Sequence, residues 1–339
     1  MANDRRHMTV IGAGAWGTTL ALLAIRAGAT ASLWVRDAAE AAAIERRREN
    51  SRFLPGVALP AGLRVTADLD EACTRAAVVA MVVPSATMRE NIRAVEPFLG
   101  EAVIVSASKG LEPASMLRMT EVIDQELEER YSGRVGALSG PNLAVEIAND
   151  KPAATVLAGP RAVVDEAREV LMGGRFRCYA SDDLVGVELA GALKNVYAIG
   201  AGIGDQLEAG DNAKAAFVNR AIVEIGRLGV AQGARPLTFA GLAGIGDLMA
   251  TCASSLSRNN QLGRRLAAGE TLDQIVQTLG HVAEGVGTTS AALALSRAVD
   301  VEMPIVEQMA AVLFEGRGPA EAIAALMERD ARHELEGWA

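Results

Sequence analysis

The stretch VIGAGAWGTTLA, from Val10 to Ala21, decides the fold of the first half of the chain. Thr9 to Ile11 are predicted to form a short strand, and the next six residues, GAGAWG, are predicted to form a turn. Thr18 to Arg26 are then predicted to form a helix. The stretch therefore predicts a strand, a tight glycine-rich turn and a helix in direct succession.

The glycines of this turn have the spacing G-x-G-x-x-G, at Gly12, Gly14 and Gly17. Glycines here allow a tight turn and a close approach of the backbone to a pyrophosphate, which the free N–H groups of a helix N-terminus attract. Ala31 to Val35 add a second strand at the distance expected for a βαβ unit. This context predicts a dinucleotide-binding site; the alternative is a glycine-rich turn in another kind of α/β protein.

The end of the second strand carries two residues that bear on the choice of cofactor. An arginine at this position accepts a ribose 2′-phosphate, whereas a carboxylate bonds a 2′-hydroxyl. Arg36 and Asp37 stand side by side, so Arg36 favours NADPH and Asp37 favours NADH. Asp37 has a third interpretation, in which it only caps the helix predicted from Glu40 to Arg48.

The rest of the first half alternates short apolar runs with predicted helices. Its AAVVAMVV run, which ends at Val83, suits a parallel strand that is covered on both faces. After Ser181 we predict only helices. We therefore predict a Rossmann-type, doubly wound α/β sheet in a dinucleotide-binding domain at residues 1–181, and an all-α catalytic domain at residues 182–339. The further strands are predicted at Leu63–Thr66, Val78–Val83, Val103–Ser106, Val135–Leu138, Ala153–Leu157 and Phe176–Tyr179.

The composition excludes several classes of protein. A hydrophobic content of 50% with 22% charged residues is typical of a folded domain. The net charge of −9 argues against nucleic-acid and anionic-membrane partners. Three widely separated cysteines, Cys73, Cys178 and Cys252, lack metal-ligand spacing and predict reduced core residues in a cytoplasmic protein with no metal site.

The N-terminus resembles a signal peptide only superficially. Arg5, Arg6 and His7 precede an apolar run from Met8 to Ile25, but the glycines inside that run would weaken the hydrophobic helix of a signal peptide. We find no other stretch with about 18 consecutive apolar residues. The sequence therefore predicts no stable membrane insertion.

In the predicted helical domain, GVELAGALKNVYAIGAGIG runs from Gly186 to Gly204 with only three charged or amide side chains. A helix that is apolar nearly all round is normally buried. Lys194 lies among small residues on this helix, and buried lysines change their pKa readily and often act in catalysis. The alternative is a lysine whose stem is buried and whose ammonium reaches water.

Three other polar clusters follow predicted strands or open predicted helices. Lys109 comes directly after the strand that ends at Ser106, at the sheet edge where open α/β sheets bind ligands. Asp247 follows closely spaced glycines in GLAGIGDLMATC, and a simple N-cap is its alternative. Ser257 to Asn260 open a helix with a guanidinium and amides, which predicts an anion site unless Ser257 is only a cap.

The sequence as a whole resembles the bacterial NAD(P)-dependent glycerol-3-phosphate dehydrogenases, from about Thr9 to about Arg329. The motifs that carry the resemblance are VIGAGAWGTTLA, FLPG at Phe53–Gly56, VVPS at Val82–Ser85, SKGLE at Ser108–Glu112, SGP at Ser139–Pro141, GALKNVYAIGAG, AGIGDLMATC, SRNNQLG and VEMPI at Val301–Ile305.

The resemblance implies a role for each matching position. Lys194 matches the catalytic lysine, which exchanges a proton with the C2 oxygen of the substrate, and Asp247 matches the residue that orients it and the substrate hydroxyls. Both also belong to the implied substrate site, whose other members are Lys109, Gly140, Asn142, Ser257, Arg258 and Asn259. The implied cofactor contacts are Gly12, Gly14, Ala15, Trp16, Gly17, Arg36, Lys109, Ala144, Arg258, Val282 and Glu284.

Two departures from the family pattern bear on these expectations. Asn142 stands where the family usually has a small hydroxyl residue, and Asp37 stands where a second basic residue is frequent. We expect use of both NADPH and NADH, with NADPH somewhat ahead. The expected reaction is the reversible reduction of dihydroxyacetone phosphate to sn-glycerol 3-phosphate for phospholipid synthesis, in a possible homodimer. A hydroxyacid dehydrogenase and a non-enzymatic dinucleotide sensor are the alternatives.

Overall fold

The computed structural model describes residues 7–279 and 283–330. The chain divides into two compact units, each of which we describe by itself. The first unit comprises Met1–Ser108 and Met119–Leu184, and the second comprises Lys109–Arg118 and Val185–Ala339.

The first unit contains one eight-stranded sheet. In chain order the strands are β1 (His7–Ile11), β2 (Thr30–Trp34), β3 (Leu63–Thr66), β4 (Val78–Met81), β5 (Val103–Ser106), β6 (Val135–Ser139), β7 (Ala153–Ala158) and β8 (Phe176–Ser181). Their order across the sheet is β3-β2-β1-β4-β5-β6-β7-β8. All neighbours are parallel except β6 and β7. The predicted doubly wound α/β fold is confirmed.

Seven α-helices belong to the first unit's described residues. They are α1 (Ala15–Arg26), α2 (Ala38–Arg47), α3 (Leu69–Cys73), α4 (Met88–Val95), α5 (Met119–Glu126), α6 (Ala144–Ala148) and α7 (Arg161–Leu171). Strand β4, with the sequence VVAM, is buried at every residue, as expected for a parallel strand. Leu20 and Leu22 of α1 and Val170 of α7 belong to the same core as the strands, so apolar helix faces help to bury the sheet.

The segment Lys109–Arg118 does not follow the predicted division of the chain near residue 182. Although it follows β5 in the sequence, it groups with the second unit. Leu111 is buried in the core of that unit, and Nη1 of Arg118 lies 2.6 Å from Oε2 of Glu188. The sequence predicts a helix from Met116 to Glu128, but α5 begins only at Met119, and Met116 itself has a positive φ of 63° that an α-helix cannot contain.

From Val185 onward, the described residues of the second unit form helices and no strand, as predicted. Its α-helices are α8 (Leu184–Gln206), α9 (Asp211–Ala231), α10 (Pro236–Phe239), α11 (Asp247–Ala253), α12 (Arg258–Ala267), α13 (Leu272–Leu279), α14 (Glu284–Ala298), α15 (Pro304–Phe314) and α16 (Pro319–Met327). A π-helical segment, Leu242–Gly246, separates α10 from α11. We did not predict α10 or the π-helical segment, which are both shorter than the span in which helical periodicity is readable.

Two helical stretches of the second unit are long and apolar enough to cross a membrane by length and composition alone. They are Leu184–Gln206 and Pro236–Ala253, with 78% and 39% of their apolar windows buried. The high buried fraction of α8 is that of a core helix, and Leu193, Val196 and Tyr197 lie in the core of the unit. Core helices pass the same test, so the two stretches are weak evidence for membrane insertion.

Candidate nucleotide-binding and active sites

The glycine turn of the first unit accepts no side chain at two positions. Gly12 has a φ of 111°, and a Cβ there would lie 2.4 Å from the carbonyl oxygen of Val82. A Cβ on Gly17 would lie 1.9 Å from the carbonyl oxygen of Gly12. The turn joins β1 to α1 where the strand order changes direction, between β1 and β4. This is the position at which open α/β sheets bind nucleotides, so the backbone geometry fits a dinucleotide.

A buried amide that we did not predict holds the turn in place. Nδ2 of Asn50 donates hydrogen bonds to the carbonyl oxygen of Ala13, at 2.8 Å, and to Oγ1 of Thr18, at 2.9 Å. Near the same turn, Ala15 and Trp16 open α1, and the buried indole Nε1 of Trp16 has no hydrogen-bond partner within the described chain. Asn50 gave no signal in the sequence, because an isolated asparagine is most often exposed.

Arg36 and Asp37 lie between β2 and α2 and have different partners. Asp37 caps α2, because its Oδ1 accepts a hydrogen bond of 2.7 Å from the backbone N–H of Glu40. The capping interpretation is therefore the one observed. Nη2 of Arg36 donates a 3.1 Å hydrogen bond to Oδ1 of Asn91, and Asn91 in turn donates to the carbonyl oxygen of Thr87. Asn91 thus fixes the direction of the guanidinium.

The SGP motif places a strained glycine and an incompletely bonded amide in the first unit. Gly140 has a φ of 149°, and a Cβ there would lie 3.0 Å from Cα of Thr155. Nδ2 of Asn142 donates to Oγ1 of Thr155 at 3.0 Å, whereas its buried Oδ1 has no hydrogen-bond partner among the residues described. Ala144 opens α6. The free Oδ1 can accept a hydrogen bond from a hydroxyl group of a ligand.

In the second unit, one carboxylate binds two ammonium groups. Oδ1 of Asp247 lies 2.5 Å from Nζ of Lys194, and Oδ2 lies 2.6 Å from Nζ of Lys109. Nζ of Lys194 also donates to Oγ1 of Thr251 at 2.6 Å. Asp247 is only 1% exposed and Lys194 only 7%. The structure therefore brings together three of the predicted site residues and adds Thr251, which lies one helical turn after Asp247.

The electrostatics of this cluster differ from those of surface ion pairs. Burial lowers the pKa of Lys109 to about 8; the Asp247 carboxylate opposes the shift, and the neighbouring ammonium of Lys194 adds to it. Since two cations share one carboxylate, the cluster can lose a proton without leaving Asp247 unpaired. Such a group can both donate a proton and stabilise a developing negative charge.

Asp247 does not act as an N-cap, which was the alternative role considered for it from the sequence. It is the first residue of α11, its side chain makes no capping bond, and Gly246 is the N-cap. The preceding π-helical segment bends at Gly244, where a Cβ would lie 2.1 Å from the carbonyl oxygen of Phe239. The glycines therefore serve a close backbone turn that directs Asp247 towards the lysines.

The start of α12 combines a capped helix N-terminus with a fixed amide. Oγ of Ser257 accepts a 3.3 Å hydrogen bond from the backbone N–H of Asn260, which is the capping role. Nδ2 of Asn259 donates to Oδ1 of Asn195 at 3.0 Å, and its Oδ1 accepts from the backbone N–H of Gly285 at 3.1 Å. Asn195 follows Lys194 directly, so it connects the predicted anion site to the helix that carries the catalytic candidate.

Two predicted cofactor contacts, Arg258 and Glu284, are the first residues of helices in the second unit, and a third lies outside the described residues. Burial lowers the pKa of Arg258, and the charge of Glu284 partly offsets that shift. Glu284 is the first residue of α14. Val282 lies outside the residues that the structure describes. The guanidinium of Arg258 and the N–H groups of α12 together favour a phosphate ligand.

Comparison with known proteins decides the family. The sequence-family model of the NAD-dependent glycerol-3-phosphate dehydrogenase N-terminus matches residues 7–164. The family model of the C-terminus matches residues 183–324. A glycerol-3-phosphate dehydrogenase [NAD(P)+] from Dehalococcoides mccartyi is 45% identical over 331 residues, 97% of this chain and 92% of that protein. The chain belongs to the NAD-dependent glycerol-3-phosphate dehydrogenase family.

Other members of the glycerol-3-phosphate dehydrogenase family agree over nearly the whole chain. The enzyme of that name from Chlorobium luteolum is 44% identical over 333 residues, which are 97% of this chain and 100% of that protein. The crystal structure of glycerol-3-phosphate dehydrogenase from Coxiella burnetii superposes with a TM-score of 0.90 at 35% identity, over 96% of this chain and 100% of that one. The predicted family and the use of an NAD(P) cofactor are confirmed.

Proposed function

We propose that the protein catalyses the reversible NAD(P)H-dependent reduction of dihydroxyacetone phosphate to sn-glycerol 3-phosphate. The observation that carries this proposal is the buried ammonium of Lys194, held 2.5 Å from Asp247 and 2.6 Å from Thr251. A ketone gains negative charge on its oxygen when its carbon accepts a hydride, and a buried proton donor is the group that this step requires.

The proposed reaction needs one proton and one hydride. A nicotinamide cofactor, whose pyrophosphate Gly12, Gly14 and Gly17 would hold, would supply the hydride. Lys194 donates a proton from Nζ to the C2 oxygen, and the C=O bond becomes a C–OH bond. Asp247 and Thr251 hold Nζ in one orientation through the reaction, and Asp247 compensates the charge of the ammonium. In the reverse direction Lys194 accepts the proton of the C2 hydroxyl.

Lys109 is proposed to bind both substrate and cofactor, as the family resemblance implied. Its ammonium is bonded to Oδ2 of Asp247, so it adds positive charge beside the proposed proton donor. Gly140 and Asn142 of the first unit are proposed as further substrate contacts, because the buried Oδ1 of Asn142 has no acceptor role elsewhere within the described residues.

The phosphate of the substrate is proposed to bind at the start of α12. Arg258 supplies a guanidinium, and the first turn of the helix supplies N–H groups. Ser257 and Asn259 shape this site: Oγ of Ser257 caps the helix, and the side chain of Asn259 joins the helix start to Asn195 of α8 and to the backbone of Gly285 in α14. A dianionic phosphate suits such a cationic site better than an uncharged hydroxyl group does, because hydrogen bonds between ionised groups are stronger than neutral ones.

The cofactor is proposed to be NADPH or NADH, with NADPH somewhat preferred. Arg36 has a fixed guanidinium that suits a ribose 2′-phosphate. Asp37 uses Oδ1 to cap α2 and is the less available of the two for a ribose hydroxyl. Gly12, Gly14, Ala15, Trp16 and Gly17 are proposed to hold the pyrophosphate end, with Ala144 and Glu284 as further contacts.

The product, sn-glycerol 3-phosphate, is a precursor for the synthesis of glycerophospholipids, which is the proposed cellular role. We further propose that the enzyme works in the cytoplasm, since its cysteines Cys73, Cys178 and Cys252 are buried free thiols. A homodimer is our proposal for its assembly, because most soluble oligomers are symmetric homo-oligomers.

The test of this function is the oxidation of NADPH and NADH, followed by absorbance, with dihydroxyacetone phosphate as substrate. We expect turnover with both cofactors and with this substrate. Turnover with a 2-keto or 3-keto carboxylate but none with dihydroxyacetone phosphate would instead support a hydroxyacid dehydrogenase. Binding of cofactor with no turnover of either substrate would support the sensor hypothesis.

A further inference from the structure

One carboxylate in the second unit joins three helices. Asp205, near the end of α8, has a side chain that is 15% exposed. Nζ of Lys214 on α9 lies 2.8 Å from its Oδ1 and 3.0 Å from its Oδ2. Nη2 of Arg264 on α12 donates to Oδ2 at 2.7 Å, and Nδ2 of Asn260 donates to the same atom at 3.3 Å. Two cations and one amide therefore share this carboxylate.

Asn260 transmits this arrangement to the start of α12. Its Oδ1 accepts a 2.9 Å hydrogen bond from Nε of Arg264, and its Nδ2 also lies 3.3 Å from the carbonyl oxygen of Cys252. Its backbone N–H donates to the capping hydroxyl of Ser257. The residue is 1% exposed. A displacement of the Asn260 side chain would therefore move the helix turn that carries Ser257 and Arg258.

The backbones of α8 and α12 touch close to this carboxylate. A Cβ on Gly202 would lie 2.0 Å from the carbonyl oxygen of Asn260, and a Cβ on Gly263 would lie 1.9 Å from that of Ile199. Two helices that meet through glycines lack interlocking side chains at the crossing. Polar contacts at its edge then have to fix how far one helix slides along the other.

The carboxylate is a charged group under the conditions of catalysis. Burial raises the pKa of Asp205, but hydrogen bonds from Lys214 and Asn260 and the charges of Lys214 and Arg264 outweigh it, so the pKa lies below its usual value. Hydrogen bonds to ionised groups are about twice as strong as neutral ones. The contacts of Asp205 are therefore of the kind that holds a helix in one position.

Resting on the function proposed above, we propose that Asp205 is a positioning residue for substrate: its contacts with Asn260, Arg264 and Lys214 set the phosphate site at the start of α12. Asp205 and Lys194 belong to the same helix, roughly 16 Å apart along its axis at 1.5 Å per residue. Helix α8 thereby sets the distance from the proton donor to the phosphate site, which a three-carbon phosphate ester has to match.

A positioning role and a purely electrostatic role predict opposite results. Asp205→Asn removes one negative charge from a region with three cations, Lys214, Arg258 and Arg264. If charge alone mattered, the phosphate site would become more positive and bind anions more tightly. If Asp205 positions α12, the site loses its geometry and binds anions more weakly, since a misplacement near 1 Å can cost up to about a hundredfold.

The experiment compares dihydroxyacetone phosphate with dihydroxyacetone, which lacks the phosphate. For Asp205→Asn we expect kcat/KM for the phosphorylated substrate to fall about tenfold, mainly through KM, while that for dihydroxyacetone stays within about twofold. The inhibition constant of inorganic phosphate should rise in parallel. The control is Asp211→Asn, which removes the same charge from the first residue of α9. The Asp211 side chain makes no hydrogen bond or ion pair with the described residues.

Two results would overturn the positioning role: an equal loss with both substrates, and tighter or unchanged binding of inorganic phosphate. If Asp205→Asn does not fold, as judged by thermal unfolding, Lys214→Gln tests the same contact and should lower kcat/KM about threefold for the phosphorylated substrate only; unchanged selectivity would then reject the proposal. A wild-type enzyme without preference for the phosphorylated substrate would instead reject the proposed function.

Discussion

Lys109 and Lys194 bind opposite oxygens of the same buried carboxylate, that of Asp247, at 2.6 and 2.5 Å. Residues 85 positions apart in the sequence thus share one counter-ion. Burial lowers the pKa of Lys109, the shared Asp247 carboxylate opposes that shift, and the neighbouring ammonium of Lys194 adds to it.

Lys194→Met removes the proposed proton donor. We expect turnover of dihydroxyacetone phosphate to fall at least about a thousandfold, within the range for loss of general acid catalysis. Binding of NADPH, measured by its fluorescence, should change little. Lys151→Met, which alters an exposed lysine of the first unit, should behave as the wild type. A Lys194→Met enzyme with more than about a tenth of normal turnover would contradict the mechanism.

Thr251→Val removes the hydroxyl group that accepts a hydrogen bond from Lys194. Hydrogen bonds to charged groups contribute about 1.5–3 kcal/mol, so kcat should fall roughly ten- to a hundredfold. Thr251→Ser retains the hydroxyl and should recover most of the activity. Equal activity in the valine and serine variants would mean that the hydroxyl does not orient the lysine.

The pKa of Lys109, lowered to about 8, predicts a pH dependence. The ammonium is present below this pH and is lost as the pH rises through it, so KM for dihydroxyacetone phosphate should increase above pH 8. Lys109→Arg, whose side chain stays protonated, should flatten this rise even if its activity is lower. Parallel pH profiles in the two enzymes would assign the titration to another group.

Arg36→Ser tests the choice of cofactor. The guanidinium held by Asn91 is proposed to meet a 2′-phosphate, so KM for NADPH should rise about tenfold or more while KM for NADH changes little. Asn91→Ala should also raise KM for NADPH, but by a smaller factor, because the Arg36 guanidinium loses the hydrogen bond that fixes its direction. An unchanged ratio of the two constants in Arg36→Ser would remove Arg36 from cofactor selection.

Glu224 makes folding stability depend on pH. Burial raises the pKa of this carboxyl to about 7, although hydrogen bonds from Ile305 and Tyr197 and the charge of Arg227 oppose the shift. The folded state therefore binds more protons than the unfolded state between about pH 4.5 and 7, and stability is lost as the pH rises through this range.

Glu224→Gln should remove most of this loss of folding stability with rising pH, which amounts to up to about 3 kcal/mol between pH 5 and pH 8. The measurement is urea unfolding at both pH values for the two proteins. Glu208→Gln, at an exposed position, is the control. The expectation fails if the two proteins lose stability equally over this range.

Local patterns predicted the elements of the first unit well. The glycine spacing after Ile11 and the apolar runs such as VVAM have few alternatives, so the strands lie within a few residues of their predicted positions. The helical second unit was also readable from its periodicity. The π-helical segment before Asp247 was not, because it depends on the close contact of Gly244 with Phe239.

Contacts between distant residues account for the parts of the site that we did not predict. Asn50, Asn91 and Thr251 each act through hydrogen bonds to residues that only the tertiary fold brings close. Asn195 had a sequence signal in its position beside Lys194, but its partner Asn259 lies 64 residues away. Single polar residues at such positions have no period that a sequence can reveal.

Because the segment Lys109–Arg118 belongs to the second unit, the chain cannot be divided into its two units at a single position. A fragment that starts near residue 182 would carry Lys194, Asp247 and the α12 start, but it would lack Lys109 and the Arg118 partner of Glu188. A fragment that ends there would expose Leu111. The helical unit therefore cannot be transferred as one contiguous piece, and a chimera between relatives has to exchange the segment Lys109–Arg118 together with the C-terminal half.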